Sequence, residues 1–205
     1  MVTQDAKGGI RALTLATISF TLSFASWGLV GGLAPVFTDL YRLTASETAL
    51  LVAVPVLLGS LARLPMGMLT DRYGGRAVFA ILMALSAIAA WLVPLTSRYS
   101  SLLVSAFFLG LAGASFSIGA AFVSRWTPPA RQGTALGIYG LGTMGQSAAV
   151  FLGPVLASVL GWQWVFYLGS GILLLWSVVF GLWARDAPRR NAPGSISGMI
   201  ALLRR

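Results

Sequence analysis

The stretch Leu50-Leu-Val-Ala-Val-Pro-Val-Leu-Leu-Gly-Ser-Leu-Ala-Arg63-Leu-Pro-Met-Gly-Met-Leu69 is apolar throughout except for Ser60 and one guanidinium, Arg63. A run of about 20 such residues is what an α-helix needs to cross a hydrocarbon core about 30 Å thick. The next charge, Asp71, lies eight positions further on, about 12 Å along a helix. Arg63 is therefore expected well below the nearest interface. A centrally placed arginine costs roughly 2.5–3.5 kcal/mol on insertion scales, and such residues face a bundle interior or an aqueous cavity. The guanidinium stays charged and presents five donors in a planar fork, a shape that suits a planar oxyanion. The alternative is snorkelling to the headgroups. The distance to be covered exceeds the reach of the side chain.

The rest of the chain has the same character. Hydrophobic residues make up 57% of it and charged residues 9%, against roughly 25% charged in soluble domains. The composition predicts a polytopic membrane protein. The net charge of +9 would suggest nucleic acid in a soluble chain, but its distribution along this one argues against that partner. With neither Cys nor His present, disulfides, thiolate chemistry, the usual zinc sites and histidine-based catalysis are excluded. No cofactor and no metal site is expected. The first apolar run is too long for a signal-peptide core and reads as a retained span.

Six segments are long enough to cross a bilayer, near residues 13–37, 48–69, 77–96, 101–125, 133–160 and 163–184. The fifth exceeds one hydrophobic thickness and is expected to tilt or to extend past the interface. Lys7, Arg11, Arg72, Arg76, Arg125, Arg131, Arg185, Arg189, Arg190, Arg204 and Arg205 fall on one side of this arrangement. Arg42 and Arg98 fall on the other. By the positive-inside rule both termini are expected in the cytoplasm. Trp126, Trp162, Trp164 and Trp183 sit near span ends as interfacial anchors. Residues 1–12 read as a cytoplasmic tail, 13–184 as the bundle, and 185–205 as a polar cytoplasmic linker leading toward a second bundle.

Two motifs refine this reading. Gly67-Met-Leu-Thr-Asp71-Arg72-Tyr-Gly74-Gly-Arg76 follows the second span. Its glycines allow a tight turn, and its arginines hold the loop on the cytoplasmic side. It closely resembles the loop signature G-x-L-x-D-R-x-G-R-[RK] of the major facilitator superfamily, with Gly75 as the one departure. The stretches Gly110-Leu-Ala-Gly-Ala-Ser-Phe-Ser-Ile-Gly119, Arg125 to Gly140, and Gly140-Leu-Gly-Thr-Met-Gly-Gln-Ser-Ala-Ala-Val-Phe-Leu-Gly-Pro154 resemble the nitrate/nitrite porter family within that superfamily. The resemblance implies an all-α membrane protein whose six transmembrane helices form one bundle of two inverted three-helix repeats. It implies transport of nitrate or nitrite, as in nitrate assimilation, across the cytoplasmic (inner) membrane. It also implies a second six-helix half as partner, whether a continuation, a separate chain or another copy.

Arg63 matches the position of that family's substrate arginine. Gly140, Gly142, Thr143 and Gly145 match its glycine-rich signature in span five. The family has Asn where this chain has Thr143, so one hydroxyl donor replaces an amide with two. The substrate expectation widens accordingly to a small oxyanion. Small residues at spacings of three and four also let helices pack closely, so each glycine has a packing reading as well as an anion-wall reading. Phe24, Trp27 and Phe116 are candidates to flank the anion. Gly67, Asp71, Arg72, Gly74 and Arg76 form a candidate gating motif. The only acids, Asp5, Asp39, Glu47, Asp71 and Asp186, all fall outside spans or at their ends, so no conventional proton carrier lies at depth. Two rivals remain: transport of another anionic solute, and a non-transporting receptor or assembly module. An enzyme is not expected, because no nucleophile–base pair occurs at depth.

Overall fold

The computed structural model describes residues 2–187, with side chains from residue 8 onward. Its helices are α1 (Val2–Gly32), α2 (Ala34–Tyr41), α3 (Ala45–Tyr73), α4 (Gly75–Leu92), α5 (Tyr99–Leu109), α6 (Ser115–Trp126), α7 (Gln132–Gly140), α8 (Met144–Leu160) and α9 (Trp162–Trp183). Among the described residues six segments are long and apolar enough to cross a membrane: Gly8–Gly32, Ala45–Tyr73, Gly75–Leu95, Tyr99–Trp126, Pro129–Leu160 and Trp162–Trp183. The fourth is α5 and α6 joined by a 3-10 segment, Gly110–Ala114. The fifth is α7 and α8 joined by Leu141–Thr143.

Two boundaries differ from the sequence reading. Residues 2–12, expected as a tail, continue the helix of span one. Gly8 lies against the Trp126 ring, where a Cβ would come within 2.7 Å of it, so the start of α1 packs on the end of span four. At its other end the first span stops at Gly32. The chain bends at Leu33 and resumes as α2, with Pro35 in its first turn. The side chain of Lys7 and the whole of Arg189, Arg190, Arg204 and Arg205 lie outside the described residues, as does most of the 185–205 linker.

Local chemistry sets the ends of α3. Thr44 opens it with a capping box: the Glu47 carboxylate accepts from the Thr44 amide at 2.8 Å, and the Thr44 hydroxyl accepts from the Glu47 amide at 3.3 Å. Gly74 closes it at φ +92°, ψ 150° and starts α4 directly. The turn between α8 and α9 is built the same way, on Gly161 at φ +88°, ψ 142°. The two turns occupy equivalent places in the two three-helix units.

Helix packing shows the same repeat. Span two meets span four along Leu51, Pro55, Gly59, Ala62 and Thr70, the buried stripe of α3. A Cβ on Gly59 would lie 2.8 Å from the Gly110 carbonyl oxygen, and a Cβ on Gly110 would strike the Pro55 carbonyl. Span five meets span one through an equivalent seam. A Cβ on Gly32 would lie 2.9 Å from the Ala149 carbonyl oxygen, and one on Gly145 would strike the Thr21 carbonyl. Small residues let backbones approach where the surrounding lipid offers no hydrophobic drive for association.

Two apolar clusters fill the bundle end to end. One centres on Phe20, Phe79, Phe122, Tyr139 and Phe180, the other on Leu33, Phe37, Leu51, Leu102 and Phe166. Buried hydroxyls return their protons to the helix, as Ser19 does to the Leu15 carbonyl and Ser23 to the Ser19 carbonyl, both at 2.8 Å. Trp176 Nε1 donates to Ser19 Oγ at 2.9 Å and ties span six to span one. Spans two and five are the least covered, 22% and 17% buried against 56% for spans one and four. The open faces of the bundle are therefore those of α3, α7 and α8.

Candidate functional site

Arg63 stands on the open face of α3, one residue from the stripe that α3 buries on span four. Its Nε points at the Gly113 carbonyl oxygen at 3.5 Å, a long contact. Gly113 lies in the middle of the Tyr99–Trp126 span, so the side chain reaches sideways to a neighbouring helix and does not snorkel along its own. The Ser117 hydroxyl sits 3.3 Å from the Arg63 carbonyl and 2.9 Å from that of Ala114. Among the described residues no carboxylate forms an ion pair with Arg63. A lone, fixed positive fork on an open helix face can bind an anion through paired hydrogen bonds.

Beside Ser117 stands Phe116, 45% exposed, the outer member of an aromatic shelf. Its ring centroid lies 5.6 Å from Phe20 and 6.0 Å from Tyr139, and Phe20 stacks on Tyr139 at 4.8 Å. Phe24 meets Phe20 at 4.3 Å and Trp27 meets Phe24 at 5.0 Å, which extends the shelf along α1. The key member is Tyr139, which the sequence reading passed over. It is fully buried, its hydroxyl donates to the Ser115 carbonyl at 2.9 Å, and Gly119 leaves room for that hydroxyl. A single tyrosine beside a glycine run carried no sequence signal for this bond.

The span-five residues divide into two groups. A Cβ on Gly142 would run into the Phe20 ring, and one on Gly145 into the Thr21 carbonyl, so both glycines belong to the seam with α1. For these two, packing accounts for the absence of a side chain. Gly140, like Gly137, has no atom within 4 Å of a Cβ and faces open space. Thr143 is exposed and donates its hydroxyl to the Gly140 carbonyl at 2.9 Å. Of the four, Gly140 and Thr143 are the two not packed into that seam. Among the described residues no hydrogen bond joins them to Arg63.

The loop motif is a separate cluster at the basic end of the bundle. Asp71 accepts from Arg125 Nη2, and Arg125 Nη1 donates to the Thr70 carbonyl at 3.2 Å. The Arg76 amide donates to Asp186 Oδ1 at 2.9 Å, and Arg76 Nε donates to the Gly181 carbonyl at 2.6 Å. Trp126 Nε1 donates to the Arg185 carbonyl at 3.0 Å. These contacts join the ends of spans two, three, four and six. A Cβ at Gly74 would lie 2.5 Å from the Asp186 carboxylate, so this glycine is required twice, by its positive φ and by that approach. The Arg72 guanidinium lies 5.4 Å from the Tyr73 ring centroid. Gly67 has no atom within 4 Å of a Cβ and stands on the open face of α3.

Comparison with known proteins places this arrangement. Residues 16–201 match the family model described as Major Facilitator Superfamily. The chain is 36% identical over 207 residues to a protein of Thermus thermophilus named "Probable nitrate/nitrite antiporter NarK1", covering 95% of this chain and 46% of that one. It is 32% identical over 191 residues to the "Probable nitrate transporter NarT" of Staphylococcus carnosus, covering 93% and 49%. The chain thus spans about half the length of the curated relatives it matches. Among solved structures, a bacterial homologue of the human lysosomal transporter Spinster, inward-facing and unoccupied, superposes with a TM-score of 0.78 at 18% identity. That match covers 92% of this chain and 45% of the other.

Proposed function

Since the chain belongs to the Major Facilitator Superfamily, we propose that it forms one six-helix bundle of a nitrate or nitrite transporter of the cytoplasmic membrane. A second bundle would pack against the open faces of spans two and five and complete the pathway. The observation that carries the proposal is Arg63, a guanidinium with no neutralising carboxylate on an open face, tethered to a mid-span carbonyl. Its fork would orient a planar oxyanion by paired, charge-assisted hydrogen bonds. Phe116 would flank the anion, and the Gly140 backbone and Thr143 would form the wall opposite. Gly142 and Gly145 would act indirectly, by fixing how closely span five lies to span one. The Asp71–Arg125 pair and the Arg76–Asp186 contact would hold the cytoplasmic ends of the spans together while the bundles rock. The relatives named for nitrate and nitrite support this substrate class.

The test is uptake of labelled nitrate into proteoliposomes containing the chain together with its second bundle. Nitrite and chlorate should compete and neutral sugars should not. Competition by sugars, with none by nitrite or chlorate, would overturn the assignment.

A further inference from the structure

A second positive group lies on span one, in a recess that Arg63 does not line. Arg11 is exposed near the start of span one, and among the described residues it has no hydrogen-bond acceptor and no carboxylate partner. It lines a recess of about 470 Å³ with Thr14, Leu15 and the end of span six at Trp183. The carboxylate at that end of span six, Asp186, is already engaged by the Arg76 amide. The recess therefore offers a guanidinium, a hydroxyl and an indole, and among the described residues no acid lines it.

Below the recess the same face of α1 continues without interruption. Arg11, Thr14, Ile18, Leu22, Ala25 and Leu29 follow one another at spacings of three and four, which places them on one stripe of the helix. Ile18 is 37% exposed in the middle of this stripe. Leu22, Ala25 and Leu29 then form the floor of an apolar groove of about 320 Å³ between α8 and α9. From Arg11 to Leu22 the helix rises about 16 Å, which matches one leaflet, half of a hydrocarbon core about 30 Å thick. A charged recess at the basic end and an apolar groove deeper in the bundle are thus two separate hollows on one stripe of α1, with the exposed Ile18 between them.

We propose that this stripe is a binding site for one anionic phospholipid of the cytoplasmic leaflet. The phosphodiester would sit on Arg11 and Thr14, with Trp183 at the level of the glycerol, and one acyl chain would lie along Ile18 and Leu22. The unopposed charge selects a headgroup of net negative charge over a zwitterionic one. Both ends of the site are needed: the guanidinium supplies selectivity and the groove supplies hold.

The experiment reconstitutes the full chain in nanodiscs of mixed phosphatidylglycerol and phosphatidylcholine, then counts the lipid retained after detergent exchange by native mass spectrometry. One phosphatidylglycerol should be retained in preference to phosphatidylcholine. Arg11→Gln should lower that retention about tenfold, the loss of one charge-assisted hydrogen bond. Arg11→Lys should keep part of it. Ile18→Trp, which covers the stripe between the two hollows without altering charge, should also lower it, and Arg98→Gln at the opposite end should not. Excess inorganic phosphate should leave the lipid in place. Unchanged retention in Arg11→Gln or in Ile18→Trp would overturn the proposal. So would stripping of the lipid by inorganic phosphate, which would mark a simple anion site.

Discussion

Replacing Gly142 by Ala tests whether the glycine run of span five is a helix seam or an anion wall. A Cβ at this position would lie 2.8 Å from Phe20 Cγ and 3.0 Å from Phe20 Cβ, where ordinary contact begins at 3.4 Å. Phe20 Cδ1 would be nearer still, so the ring would have to retreat by roughly an ångström. It has nowhere to go, because Phe20 is fully buried, stacked on Tyr139 at 4.8 Å and packed edge-on against Phe24 at 4.3 Å. Overpacking of this kind costs about 1–3 kcal/mol. A better helix propensity returns less than 1 kcal/mol of that, leaving a net loss of about 1–2 kcal/mol. At roughly 2–4 °C per kcal/mol for a chain of this size, thermal unfolding in detergent should shift down by about 2–8 °C. Gly140→Ala is the internal comparison. Its Cβ meets nothing within 4 Å, so stability should hold or rise slightly while nitrate affinity falls. If Gly142→Ala melts like the unmodified chain yet binds nitrate poorly, the seam reasoning is wrong and Gly142 faces the anion.

Three further substitutions follow from other parts of the site. Thr143→Asn should preserve nitrate affinity or raise it by about 1 kcal/mol, since an amide brings a second donor where the hydroxyl is spent on the Gly140 carbonyl; equilibrium binding of labelled nitrate measures this, and loss of all binding in a normally inserted protein would contradict it. Gly74→Ala should cost about 1–3 kcal/mol, because φ +92° with ψ 150° is a region open essentially to glycine alone and Asp186 approaches closely; a melting temperature equal to that of the unmodified chain would count against that turn geometry. Tyr139→Phe should cost about 1 kcal/mol, because the hydroxyl is buried and its hydrogen bond to the Ser115 carbonyl is lost; an unchanged unfolding curve would show that the bond contributes nothing.

The spans were readable because each is an apolar run closed by charge or glycine, and membrane helices must satisfy their own backbone. Gly74 was readable as a turn, since the chain passes there from one span straight into the next. The burial of individual glycines was hidden for a physical reason. In a span that is apolar on every side, periodicity does not distinguish the face toward a neighbouring helix from the face toward lipid. Gly140 and Gly142 therefore look alike in the sequence, although one faces open space and the other Phe20. Tyr139 was hidden because its hydrogen bond reaches a carbonyl 24 positions away. The start of α1 was placed too late because Lys7 and Arg11 read as a cytoplasmic tail, whereas the packing of Gly8 on Trp126 depends on a contact between distant segments. Arg63 was the opposite case: one charge in an apolar run marks itself.

Arg63 is proposed to hold a planar oxyanion by the geometry of its fork and not by charge alone. Nitrate transport by Arg63→Lys and Arg63→Ala, measured side by side in proteoliposomes with the second bundle present and insertion verified, tests it most directly. Both variants should fall to near background, because Lys keeps the charge but loses the paired donors. A Lys variant with the affinity and rate of the unmodified protein would contradict the account.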